Sequence, residues 1–117
     1  MTTVTHPDER TLREVIRRIV DVAQPERIIL FGSAARGEMD RHSDLDLLVV
    51  TPDMSDRREM LNRIYDRLYG VAIAVDVILV TPEEVERYRD THCLVIKPAL
   101  REGREVYRAG IDPLPAE

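Results

Sequence analysis

The chain has 117 residues, 44% hydrophobic and 33% charged, which is enough for one compact domain and too little for two ordinary ones. Acidic side chains outnumber basic ones by 22 to 17, and a formal net charge of −5 without a basic strip argues against direct binding to nucleic acid. No uncharged apolar run nears the ~20 residues that span a bilayer, and residues 1–10 hold no apolar signal core, so the expectation is a soluble cytoplasmic protein with no membrane partner. Cys93 is the single cysteine, which excludes an intrachain disulfide or a thiolate zinc cluster built by one chain. Lys97 is the only lysine, so ion pairs must rest on forked guanidinium donors.

In chain order, Leu12, Val15, Ile16, Ile19, Val20 and Ala23 repeat at the spacing of a helix buried on one face, with Pro7 and Asp8 suited to its first turn. Arg27 to Phe31 reads as a short strand ended by Gly32, and Asp44 to Thr51 as a second whose later half is wholly apolar. Met60, Leu61, Ile64, Tyr65 and Leu68 define another amphipathic helix, capped by Ser55 or Asp56 and stopped by Gly70. Val71 to Val80 reads as a third strand. Thr81, Pro82 and Glu84 then place a cap, a first-turn proline and a reciprocal acid in order, which predicts a helix start. Leu94 to Glu102 reads as helical with Pro98 opening or kinking it, Gly103 ends it, and Arg104 to Arg108 supplies a short edge strand. Together these predict an α/β fold, a small mixed β-sheet with helices packed on it, formed as a single domain over residues 8–108 with loose termini at 1–7 and 109–117. Strand directions do not follow from the pattern.

The chemistry concentrates between Leu30 and Val50. Gly32 and Ser33 follow the first strand, where a glycine permits close backbone approach and the next amides can face a phosphate. Ser33 adds a hydroxyl donor and Arg36 a guanidinium able to neutralise phosphate charge or to brace the loop against Glu38 or Asp40. The Gly-Lys-Ser/Thr ending of a P-loop is absent. Asp44 and Asp46 are two apart, so on a strand their carboxylates leave the same face. Such a pair repels unless a cation holds it, and magnesium suits hard oxygen ligands that leave room for substrate phosphates. Taken singly, Asp44 also suits a cap or turn and Asp46 an ion pair with Arg41, but neither alternative accounts for Asp76, which interrupts the apolar run Val71 to Val80. If the third strand lies beside the second, the three acids share one site with room for two metal ions ~3.5–4 Å apart.

The order Gly32-Ser33, ten residues, Asp44-x-Asp46, with Arg36-Gly37-Glu38 between and Asp76 on a later apolar strand, resembles the DNA polymerase beta-like nucleotidyltransferase superfamily. It is most similar to the minimal nucleotidyltransferases that serve as antitoxins to HEPN-domain toxins. The resemblance implies that Asp44, Asp46 and Asp76 bind magnesium, that Asp76 takes the proton of the attacking hydroxyl, and that Gly32, Ser33 and, less directly, Arg36 hold the nucleotide. It implies AMP transfer from ATP to a hydroxyl, in this branch a tyrosine of the toxin, with release of pyrophosphate. Every element is needed for the catalytic layer, so a toxin partner or a second copy of the chain is expected to complete the acceptor side. Two rivals stay open: the same chemistry on a small molecule such as an aminoglycoside, and a non-catalytic antitoxin that covers its partner. His42 reads as a solvated loop residue, and His6 and His92 lack ligand spacing. The four tyrosines are too scattered for a base-stacking platform and read as core or partner packing.

Overall fold

The computed structural model describes residues 9–32, 44–52, 55–71, 73–88 and 96–110. Helix α1 (Glu9–Ala23) forms where the 3.6-residue stripe predicts it, and Leu12, Val15, Ile16, Ile19 and Ala23 are all buried while Val20 packs at the margin. Gln24, with φ of 46°, and buried Pro25 turn the chain into strand β1 (Arg27–Phe31). Strand β2 (Leu45–Val50) lies antiparallel to β1, and helix α2 (Arg57–Leu68) crosses over to strand β3 (Val75–Val80), which is parallel to β2. Helices α3 (Pro82–Tyr88) and α4 (Ile96–Glu102) precede strand β4 (Arg104–Arg108), which returns antiparallel along the free edge of β1. The sheet is therefore mixed, in the order β3-β2-β1-β4.

Its two faces bury separate cores because side chains alternate along each strand. Ile28, Leu30, Leu45, Leu47, Val49, Val77 and Leu79 pack against α1 and α2, while Ile29, Leu48, Val50 and Val80 pack against Val85 of α3 and Ile96 and Ala99 of α4. The third strand is shorter than the apolar run suggests. A strand needs a partner, β2 begins at Leu45, and the register accordingly opens with Leu45 opposite Val75. Residues 71, 73 and 74 only lead into it, the Ala74 carbonyl accepting the Leu45 N–H at 2.9 Å.

Local chemistry fixes the helix ends. Asp56, not Ser55, caps α2, its Oδ1 accepting the Glu59 N–H at 3.1 Å. The Arg18 guanidinium donates to the Arg67 and Tyr69 carbonyls at 2.9 and 3.1 Å, satisfying the far end of α2 and tying it to α1. At α3 the reciprocal cap forms as the sequence predicts, with the Glu84 N–H donating to Thr81 Oγ1 at 3.1 Å and the Thr81 N–H to Glu84 Oε1 at 3.0 Å. Pro98 is the third residue of α4, within the first turn, where a helix has no intrahelical partner for an N–H to lose. Gly103 follows, where a Cβ would press on the Leu30 carbonyl and on Ile29 Cγ2, so α4 and β4 close tightly over β1. Among the described residues no helix is long and apolar enough to cross a membrane.

Candidate active site

Three strand ends meet at one end of the sheet. The carboxyl end of β1 carries Gly32, Asp44 stands immediately before β2, Asp46 is the second residue of β2, and Asp76 is the second residue of β3. The parallel register sets Asp46 directly opposite Asp76, and the antiparallel register sets Phe31 opposite Asp46 on its other side. Neighbouring strands lie about 4.8 Å apart, so the register alone brings together two carboxylates thirty positions apart in the chain. Asp46 shares its face with Leu48 and Val50, and Asp76 shares its face with Ile78 and Val80; both carboxylates therefore leave the sheet on the α3 and α4 side, beyond the apolar core there.

Asp46 is half-buried, whereas Asp44 and Asp76 are exposed. Asp76 is thus not the buried mid-strand charge that the run Val71 to Val80 suggests. Because β3 starts at Val75, this acid sits at the open mouth of the sheet, where water solvates it. Among the described residues no three His, Cys, Asp or Glu side chains are drawn together into a metal-ligating group. The donor chemistry of Asp44, Asp46 and Asp76, all of it carboxylate oxygen, fits a hard divalent cation such as magnesium. Ser33 and Arg36, the other expected nucleotide contacts, lie outside the described residues, as do His6, His42, His92 and Cys93.

Gly32 ends β1 with φ of 75°, in the left-handed region that favours glycine. A Cβ there would crowd Asp46 Oδ2 inside van der Waals contact and come within 3.2 Å of Asp46 Cγ. The glycine backbone and the acid are in direct contact, which the linear order of Gly32 and Asp46 does not announce; it takes the β1–β2 register to reveal it. The tyrosines fall elsewhere. Tyr65 offers its hydroxyl to the Val77 N–H at 2.8 Å, blunting the free edge of β3, while Tyr69 is 88% exposed and belongs to no core.

Known proteins share this plan. The model of a family described as "Nucleotidyltransferase domain" matches residues 9–108. A Methanocaldococcus jannaschii protein named "Putative protein adenylyltransferase" is 32% identical over 89 residues, covering 67% of this chain and 60% of that protein. A second protein of the same name and organism is 47% identical over 34 residues, covering 29% of this chain and 34% of its own length. The chain thus spans 60% of the first relative's length and 34% of the second's. Among solved structures, one described as a "putative nucleotidyltransferase" from Sulfolobus solfataricus superposes with a TM-score of 0.58 at 18% identity, over 86% of this chain and 79% of the other. A structure described as a toxin-antitoxin with AMP-PNP gives a TM-score of 0.51 at 23% identity, over 84% and 74% of the two chains. The toxin-antitoxin pair MntA-HpeT, in a mutant form, gives 0.55 at 20% identity, over 88% and 74%. The mixed sheet and its helices thus recur in those structures, and because the matched span runs from the first turn of α1 to the last residue of β4, taking in all three acid-bearing positions, this chain belongs to the nucleotidyltransferase domain family.

Proposed function

We propose that the chain transfers AMP from ATP to a hydroxyl of a protein partner, with a tyrosine of a HEPN-type toxin as the acceptor that the modification silences. The observation that carries this reading is the register pairing of Asp46 with Asp76 at the sheet end that also holds Gly32 and Asp44. Asp44, Asp46 and Asp76 would hold two magnesium ions, and magnesium, when bound, supplies charge neutralisation on the triphosphate and at the leaving pyrophosphate. Gly32 and Ser33 would present backbone N–H groups and a hydroxyl to the phosphates, and the Arg36 guanidinium would offset their charge. The acceptor oxygen bonds to the α-phosphorus, the bond from that phosphorus to the bridging oxygen of the β-phosphate breaks, and pyrophosphate leaves. The acceptor proton passes to an Asp76 carboxylate oxygen, whose exposure at the open end of β3 leaves it accessible to a docking partner. Relatives named for protein adenylyl transfer and similar folds solved as toxin-antitoxin assemblies, one with AMP-PNP, support this acceptor class. The proposed use of ATP fits a cytoplasmic setting, where that nucleotide is supplied.

The test incubates the chain with magnesium, ATP labelled at the α-phosphate and the product of the adjacent gene, then repeats the reaction with the double variant Asp44→Asn/Asp46→Asn. Label should appear on the partner only with intact acids, with a loss of at least about a thousandfold in rate in the variant. No label on the partner, together with neutralisation by the double variant, would replace this reading with simple occlusion. Label on an added aminoglycoside in place of protein would move the acceptor to the small-molecule class.

A further inference from the structure

We infer that Gly32 is a positioning residue that acts through Asp46: the missing side chain at position 32 is what lets the Asp46 carboxylate lie against the end of β1, on the face it shares with Asp76. This is separate from any contact between the Gly32 backbone and a phosphate, and its consequence for metal binding rests on the function proposed above. Two observations meet at this residue. The backbone has φ of 75°, and an added Cβ would crowd Asp46 Oδ2 inside van der Waals contact, lie 3.2 Å from Cγ and 3.4 Å from the Asp46 Cβ. The second is the more telling, because a residue that only needs a left-handed turn has no reason to sit on a carboxylate. Gly70 and Gly110 share the left-handed conformation, yet a Cβ on either would meet nothing within 4 Å.

Asp46 has little freedom to yield with its backbone, since β2 is held by β1 on one side and β3 on the other, through Phe31 and Asp76 at this register. A side chain at 32 therefore displaces the carboxylate by rotation about its own side-chain bonds, away from the position the strands give it. A ligand set is sensitive to such shifts: residues that orient a metal ligand commonly change affinity 10–100-fold when altered, without touching the ion.

The contact and the backbone strain separate experimentally. Asparagine tolerates the left-handed region far better than alanine but carries the same Cβ, so Gly32→Asn keeps the collision while relieving most of the strain. In Gly32→Asn the Asp46 χ1, read from side-chain couplings by NMR without metal or nucleotide, is expected to leave its original rotamer. Mn2+ binding, read by electron paramagnetic resonance without nucleotide or partner, is expected to weaken about tenfold or more. Gly32→Ala and Gly32→Asn should each lower the denaturation midpoint more in the original chain than in an Asp46→Ala background, where the collision is gone. An unchanged Asp46 rotamer, or equal midpoint shifts in both backgrounds, overturns the inference. Failure of the unsubstituted chain to take up Mn2+ overturns the metal site of the proposed function instead, and the rotamer and midpoint readouts then decide the role of Gly32 by themselves.

Discussion

Thr51, just after β2, donates its N–H to the Val80 carbonyl at 2.8 Å, but its side-chain hydroxyl is buried and has no hydrogen-bond partner among the described residues. A buried hydroxyl without a partner carries a desolvation penalty of about 1–3 kcal/mol. Valine has the same shape without the hydroxyl and suits a strand end, so Thr51→Val is expected to raise unfolding stability by about 1 kcal/mol in urea titration. Thr51→Ser, which keeps the hydroxyl and deletes a buried methyl, should lower it by about the same amount. At the opposite end of β2 the residues run the other way. Asp44 and Asp76 stand in solvent and Asp46 is half-covered, so neutralising Asp44 should abolish the proposed AMP transfer while leaving the unfolding midpoint nearly unmoved. In the proposed function the acids serve the chemistry, so stability and activity measured side by side should separate the two ends of β2.

Among the elements, α3 depends most visibly on local side-chain chemistry. It has only seven residues, too few to persist through backbone hydrogen bonds alone, and one buried anchor, Val85. The reciprocal cap between Thr81 and Glu84 compensates, and the Arg57 guanidinium, 2.7 Å from Glu84 Oε2, ties α2 to the same acid. Partial burial pushes the Glu84 carboxyl up, but its bonds to Arg57 and to the Thr81 N–H outweigh this and hold it below the ordinary value of 4.5. A depressed carboxyl stabilises the fold in full above its unfolded value, and the contribution disappears as pH falls through the folded one. Glu84→Ala should therefore cost about 1 kcal/mol at pH 7. Below 4.5 the difference from the unsubstituted chain should narrow, as urea titrations at pH 7 and pH 3 would show. A second acid works the same way at the sheet edge. The Arg108 guanidinium, 2.7 Å from Glu105 Oε1, and then Arg27 at 2.8 Å hold the Glu105 carboxyl low against partial burial, and the Arg27 pair links β4 to β1.

At the scale of the whole molecule, two cores on opposite faces of one sheet hold the strand ends in register, and the candidate site occupies the end those cores leave open. A ligand that binds only the assembled site stabilises the entire fold by mass action. Magnesium with ATP, at about a hundredfold excess over its dissociation constant, should add about 2.7 kcal/mol and raise the thermal midpoint by several degrees. Asp44→Asn/Asp46→Asn should show no such rise. An equal rise in the variant would place nucleotide binding elsewhere on the molecule.

The helices, the α/β class and the candidate acids were legible from the residue order alone, because periodicity, caps and turn residues are local physics written within a few positions. The stripe from Leu12 to Ala23 and the Thr81 to Glu84 cap are legible in that way. Strand direction, the start of β3 at Val75, the exposure of Asp76, and the placement of Asp46 between its neighbours on β1 and β3 emerged from the folded chain. Strand pairing joins residues far apart in the chain through backbone groups that every residue carries alike, so no local pattern encodes which strand lies beside which or in what register.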